Sequence, residues 1–217
     1  MDLLRAVIIG SSGTPYHDGV FFFDVCFQHD YPHSPPKVHF RSTGLRLNPN
    51  LYESGRVCLS ILNTWFGRKD EKWNPKMSTI LQVLVSIQGL VLNEKPYFNE
   101  PAYARKANTS TGEERSLSYN RKVFRISCKL MLHAMRNPPK HFEDFVAAHF
   151  QQRGYNILAA CKAYLSGASI GCRREENETM NASISEKTCS SKFDSKLGLL
   201  IPELAKEFTH KGLHCSP

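Results

Sequence analysis

Every strand-like segment of the sequence lies before residue 41 and every helix-like segment after residue 77. In the first part, Leu3 to Ile9 and Val20 to Phe27 are runs rich in Val, Ile, Leu and Phe, separated by the turn formers SSGTPYHDG. They read as consecutive antiparallel strands. The stretch DYPHSPP follows, where Pro32, Pro35 and Pro36 forbid helix, and then a short strand over Lys37 to Phe40. From Arg41 to Asp70 no period is sustained, the mark of a long functional loop in a compact domain. From Ser78 to Leu92 the apolar residues recur at helical spacing, through Ile80, Leu84, Ile87 and Val91, with Ser78 as the candidate cap. Glu113 to Met135 repeats this spacing through Tyr119, Val123, Ile126, Leu130 and Ala134, until Asn-Pro-Pro at 137–139 stops it. Two shorter helices are expected over His141 to Arg153, closed by Gly154, and over Tyr155 to Leu165, closed by Gly167. Residues 171–195 are polar and aperiodic, the composition of a disordered linker. An amphipathic pattern returns from Lys196 through Leu197, Leu200, Ile201, Leu204 and Phe208. Strands first and helices afterwards is an α+β order, in contrast to the alternation of a doubly wound sheet.

No apolar run approaches the roughly 18 residues of a membrane span, so no integral membrane segment is expected. The opening MDLLRAVIIG does not have the layout of a signal peptide, and a reducing compartment, cytoplasmic and/or nuclear, is the resulting expectation. Seven cysteines, at 26, 58, 128, 161, 172, 189 and 215, contain no Cys-x-x-Cys pair, which argues for free thiols over a disulfide framework or a zinc site. His29 and His33 stand at i and i+4 but on a proline-broken loop without ligating neighbours, so no metal and no cofactor is expected. The net charge of +8 is unevenly spread: Lys and Arg number 12 against 9 Asp and Glu in residues 1–112, 11 against 4 in 113–174, and 5 against 7 beyond. The excess is interleaved through a helical pattern without stacking aromatics, which argues against nucleic acid and for a solvated helix face or a surface for an acidic protein.

The sharpest local signal is NPNLYESGRVCLSIL, residues 48–62, a cysteine shortly after an Asn-Pro-Asn turn and at the start of an apolar run. By itself a cysteine there is most simply core filling. The ordered series TPYHDGVFFFDVCF, DYPHSPPKVHF, NPNLYESGRVCLSIL and KWNPKMSTILQVLVSIQGLVLNEKPYFNEPAY resembles the catalytic domain of ubiquitin-conjugating enzymes over about residues 3–107. The insertion NTWFGRKDEK and the later stretch from FRISCKLML to KAYLSG look like the large plant conjugating enzymes of the phosphate-homeostasis type. The insertion style is also similar to that of animal enzymes that combine conjugating and ligase activity.

The resemblance implies a short antiparallel meander packed on a central helix, followed by a helical extension. It divides the chain into a catalytic core at 1–136, an extension at 137–170, a linker at 171–195 and an amphipathic helix at 196–213. It assigns Cys58 as the nucleophile that carries ubiquitin as a thioester, since a thiolate is both a good nucleophile and a good leaving group. Asn50 matches the asparagine whose side-chain amide stabilises the oxyanion formed when lysine attacks, although the family's His-Pro-Asn is Asn48-Pro49-Asn50 here. Glu100 stands where an acidic residue positions the incoming lysine, whose amine has to shed a proton, and it could equally be a favourable helix-start charge before Pro101. Tyr97 is placed near the same site, and Trp73 reads as a packing anchor. The partners implied are ubiquitin, its activating enzyme and substrate proteins, with ligase character as an option opened by the hybrid enzymes. His33 follows Tyr31-Pro32 where many relatives carry the phenylalanine that recruits ligases, which argues against ordinary RING-ligase docking.

The family fold opens with a helix and an edge strand ahead of the segment that comes first in this sequence. Two readings stay open, a piece of a larger enzyme or a shortened product with an uncovered sheet edge. A catalytically impaired protein of the same fold, binding ubiquitin or a partner without transferring it, is the alternative function.

Overall fold

The computed structural model describes residues 2–171 and 191–210. Three antiparallel strands form a sheet in sequence order: β1 (Asp2–Ile9), β2 (Val20–Phe27) and β3 (Lys37–Phe40). The β1–β2 register runs from Ile9 opposite Val20 to Asp2 opposite Phe27, and β3 pairs Phe40 with Phe23 and Lys37 with Cys26. The connecting turn closes on itself, Gly10 N–H donating to Gly19 O (2.9 Å). Gly10 is required there because a Cβ would fall 1.9 Å from the carbonyl oxygen of Tyr16.

The central strand is apolar on both faces, as a strand covered on two sides must be. Phe21 and Phe23 pack with Val83, Ile87 and Val123, while Val20 and Phe22 pack with Phe124, Met131, Phe150 and Leu204. The first of these cores involves helix α1 (Ile80–Ser86), which continues as one wider π turn over Ile87–Val91. Its cap is Thr79, one residue after the expected Ser78. The Thr79 hydroxyl accepts from Gln82 N–H and the Gln82 side chain accepts from Thr79 N–H, a reciprocal capping box. Ser78 instead accepts the N–H of Asn74 through its hydroxyl. A single turn, α2 (Pro101–Ala104), precedes the long α3 (Ser110–Arg136), which runs between the two cores and is capped by Thr109.

The pair of helices expected on either side of Gly154 is one helix, α4 (Glu143–Leu165), with Gly154 buried in its interior. Val146, Phe150, Ile157, Cys161 and Tyr164 form an unbroken buried stripe through that position. The burial of these side chains outweighs the roughly 1 kcal/mol that an interior glycine costs a helix. The last helix, α5 (Ser191–His210), begins five residues ahead of the expected start and inside the segment read as linker. It seats Leu197, Leu200, Leu204 and Phe208 in the same core as α4. Residues 172–190, most of that linker, and 211–213, the end of the expected helix, lie outside the described residues. Among the described residues no helix is long and apolar enough to cross a membrane.

The β1–β2 turn is fastened to α4 by a buried polar cluster. Asp18, at φ 62°, bonds His17 Nδ1 through its Oδ2 (2.8 Å) and accepts from Arg153 at Oδ1 (2.6 Å), and His149 Nε2 donates to its carbonyl (2.8 Å). The other nitrogen of His17 meets the Tyr164 hydroxyl at 2.9 Å. Burial pushes the Asp18 carboxyl up, but His17 and Arg153 outweigh it and hold it below its ordinary value.

Candidate active site

The loop ahead of Cys58 is built around Asn48, which is fully buried. Its side-chain oxygen accepts the N–H groups of Asn50 (2.8 Å) and Leu51 (2.9 Å), an Asx turn that fixes the loop locally. Its amide nitrogen donates to the Tyr16 hydroxyl and to the Val91 carbonyl, both at 2.9 Å. All four hydrogen-bonding positions of this amide are therefore used. Where the family has histidine, this asparagine ties the turn both to the β1–β2 connection and to the end of the helical segment after α1.

Asn50 and Cys58 are joined twice. Cys58 N–H donates to Asn50 O (2.9 Å), and Asn50 Nδ2 donates to Cys58 O (3.0 Å). Asn50 Oδ1 is buried without a hydrogen-bond partner. The side-chain amide thus has one N–H committed to the loop and a second that is free to serve elsewhere. A bridge between Leu51 and Val57 continues the pairing. Cys58 itself is only 2% exposed. Burial pushes its thiol up, Arg56 and Arg46 pull the other way, and the net position stays above the ordinary cysteine value. Beyond it the chain makes a short 3₁₀ turn, Ser60–Leu62, held by Thr64, whose hydroxyl accepts from Leu59 N–H and donates to Val57 O.

Glu100 lies on a separate loop and is partly exposed. It occupies the position before α2, its carbonyl accepting the N–H groups of Tyr103 and Ala104, and its carboxylate makes no capping bond. Asn99 and Asn93 hold this loop. Asn99 Nδ2 donates to Val91 O (3.2 Å), the same carbonyl that Asn48 uses, and Asn93 Nδ2 donates to Asn99 Oδ1 (2.6 Å). Tyr97 is buried, stacked on Tyr103 at 4.6 Å and tilted against Tyr119. The Tyr119 hydroxyl is pushed up to about 12, by burial first, with Arg46 opposing and Glu100 and Tyr103 adding to it. The charge of Arg46 is therefore felt by both Cys58 and Tyr119. Trp73 is buried, with its indole N–H on Pro32 O (2.7 Å), the packing role expected of it.

Sequence reasoning named Cys58, Asn50 and Glu100 as candidates, read Tyr119 only as part of a helix face, and gave no role to Arg46, Arg56 or the asparagines at 93 and 99. Arg56, two positions before Cys58 in an extended stretch, carried the one signal that period-two alternation could have supplied.

This frame of a small meander on a central helix, with a buried Asn-Pro-Asn loop closing on a cysteine, is an α+β fold of the ubiquitin-conjugating kind. The chain belongs to the ubiquitin-conjugating enzyme family, whose model matches residues 1–127. It is 52% identical to the probable ubiquitin-conjugating enzyme E2 24 of Arabidopsis thaliana, over 99% of this chain and 23% of that protein. It is 59% identical to the probable ubiquitin-conjugating enzyme E2 25 of the same plant, over 79% of this chain and 28% of the relative. The dual E2 ubiquitin-conjugating enzyme/E3 ubiquitin-protein ligase BIRC6 of Homo sapiens is 46% identical over 76% of this chain and 4% of its own length. The chain spans less than a third of each of these relatives.

Proposed function

We propose that this chain is the catalytic portion of a ubiquitin-conjugating enzyme, with Cys58 accepting ubiquitin from an activating enzyme and passing it to a substrate lysine. The observation that carries the proposal is the double tie between Asn50 and Cys58, at 2.9 and 3.0 Å. It keeps a side-chain amide beside the backbone of the acylated residue. When lysine attacks, the thioester carbonyl becomes anionic, and the second N–H of Asn50 is the donor suited to it. The lysine ammonium gives one proton to solvent, the nitrogen–carbon bond forms, and the carbon–sulfur bond breaks so that the Cys58 thiolate leaves, the second nitrogen proton passing to solvent as the amide forms. Glu100, whose charge is felt at Tyr119, orients the incoming ammonium group before it gives up its first proton. Ubiquitin, the activating enzyme and lysine-bearing proteins are the corresponding partners, and built-in ligase character, named for the human relative, is part of the same proposal for the longer protein.

The test is a non-reducing gel after mixing the chain with ubiquitin, ATP and activating enzyme. A band heavier by one ubiquitin, abolished by thiol reductant, is the expected result. Cys58→Ser should give an adduct that survives reductant, because an oxyester has the poorer leaving group, and Cys58→Ala should give none. Cys128 and Cys161 are sealed in the helical core and do not compete. An adduct of undiminished yield on Cys58→Ala would reject the assignment. No adduct on the wild-type chain, with ubiquitin still bound, would favour the non-transferring alternative.

A further inference from the structure

Two exposed arginines share the face of the loop that carries the buried cysteine, and the pairing of the loop explains why. Leu47, Leu51 and Val57 turn into the core, with Leu51 and Val57 bridged across the loop. Side chains alternate along extended chain, so Arg56 and Cys58, the neighbours of Val57, face the other way, and Arg46 beside Leu47 does the same. Arg46 is held in place by the ring of Tyr52, its guanidinium carbon 4.2 Å from the ring centroid. Tyr52 in turn pairs with Arg56 through its N–H on Arg56 O (3.1 Å). Both arginines oppose the burial that keeps the Cys58 thiol protonated. The other titratable groups around them are His39, whose ring lies against Gly55 and whose backbone is bridged to Arg56, and Tyr119, which feels the charges of both Arg46 and Glu100.

We infer that Arg46 and Arg56 form a cationic collar that stabilises Cys58 as a thiolate during the exchange that charges it, with Tyr52 as the support of Arg46. The inference deepens the conjugating reading proposed above and rests on it for the identity of the exchange. In that step the Cys58 sulfur gives its proton to solvent and bonds to the acyl carbon of ubiquitin. The bond from that carbon to the sulfur of the activating enzyme breaks, and the departing thiolate is reprotonated by solvent. The arginines touch neither ubiquitin nor the activating enzyme in this scheme. They are positioning residues that act through the charge on sulfur.

The test follows the alkylation of Cys58 by iodoacetamide on the full chain, read on its peptide by mass spectrometry from roughly pH 6 to 10, the span over which thiols titrate. Arg46→Met and Arg56→Met should each move the rate profile to higher pH and slow alkylation near neutrality by about threefold. Arg46→Lys and Arg56→Lys should restore the wild-type profile. Because both guanidiniums are exposed, added salt should move the wild-type profile in the same direction as the Met variants. The salt series needs no variant to fold. Met variants that superimpose on wild type, Lys variants as slow as Met, or a wild-type profile indifferent to salt would each overturn the collar. A wild-type chain that shows these shifts but takes no ubiquitin from activating enzyme would sink the conjugating reading and leave the collar standing, whereas a chain that is charged without the shifts does the reverse.

Discussion

Asn48 and Asn50 stand two positions apart with opposite duties. Asn48 spends its whole side chain on the loop, whereas Asn50 commits one N–H to Cys58 O and retains another. Asn50→Ala should therefore lose about 1 kcal/mol of stability, leave charging nearly intact and slow discharge to free lysine by roughly a hundredfold, the scale of one oxyanion donor. Asn48→Ala should cost about 3 kcal/mol, since it strands the buried Tyr16 hydroxyl and the Asn50 N–H and takes away one of the two donors to Val91 O, and should depress charging and discharge together. Denaturant titration and single-turnover assays of both steps separate the two asparagines; equal losses in both steps from Asn50→Ala would make it a loop residue. Cys58 and Asn50 could be named together as candidates because they sit eight positions apart in one motif, and the structure bonds them to each other. The task of Asn48 was not legible in the sequence, because its amide partners, Tyr16 and Val91, lie 32 and 43 positions away.

The elements were legible where local chemistry and burial agree. All three strands emerge within a residue of their expected bounds, because β1 and β2 are apolar runs cut off by turn formers and β3 by prolines. α4 shows the opposite case: Gly154 reads as a stop signal, yet the stripe from Val146 to Tyr164 carries the helix through it, and only the tertiary partners decide that. At the start of α1 the reciprocal bonds of Thr79 and Gln82 are exposed, which makes the cap a clean probe of local energy. Thr79→Ala should cost about 1 kcal/mol and lower the melting temperature by roughly 2 to 4 °C for a chain of this size, with charging of Cys58 preserved. A calorimetric scan checks it, and an unchanged melting temperature would mean that packing of Val83 and Ile87 alone sets the helix start.

At the scale of the molecule, two apolar cores meet along β2 and α3, and the Asp18 cluster fastens the strand end of the protein to α4. The pH dependence of that fastening follows from the lowered Asp18 carboxyl. A depressed carboxylate contributes stability that is fully present above its unfolded value, near 3.8, and is lost as pH falls through the lower folded value. Asp18→Asn keeps the left-handed backbone that asparagine tolerates and removes the charge together with one of the two acceptor oxygens that His17 and Arg153 use. It should lower stability at neutral pH by about 1 to 2 kcal/mol, discounted because Arg153 is 42% exposed. The wild-type advantage should begin to fade once the pH falls below ~3.8 and be gone below the lower folded value, so the two melting curves converge in acid. Parallel curves across the whole range would assign the contribution to packing of His17 and Tyr164.

One oxygen deserves its mechanical consequence. The Val91 carbonyl, at the end of the helical segment after α1, accepts from Asn48 at 2.9 Å and from Asn99 at 3.2 Å, so the Asn50 loop and the Glu100 loop are pinned to the same point. When thermal motion carries that helix end, both loops travel with it as common-mode displacement, and the spacing between the two loops is left undisturbed.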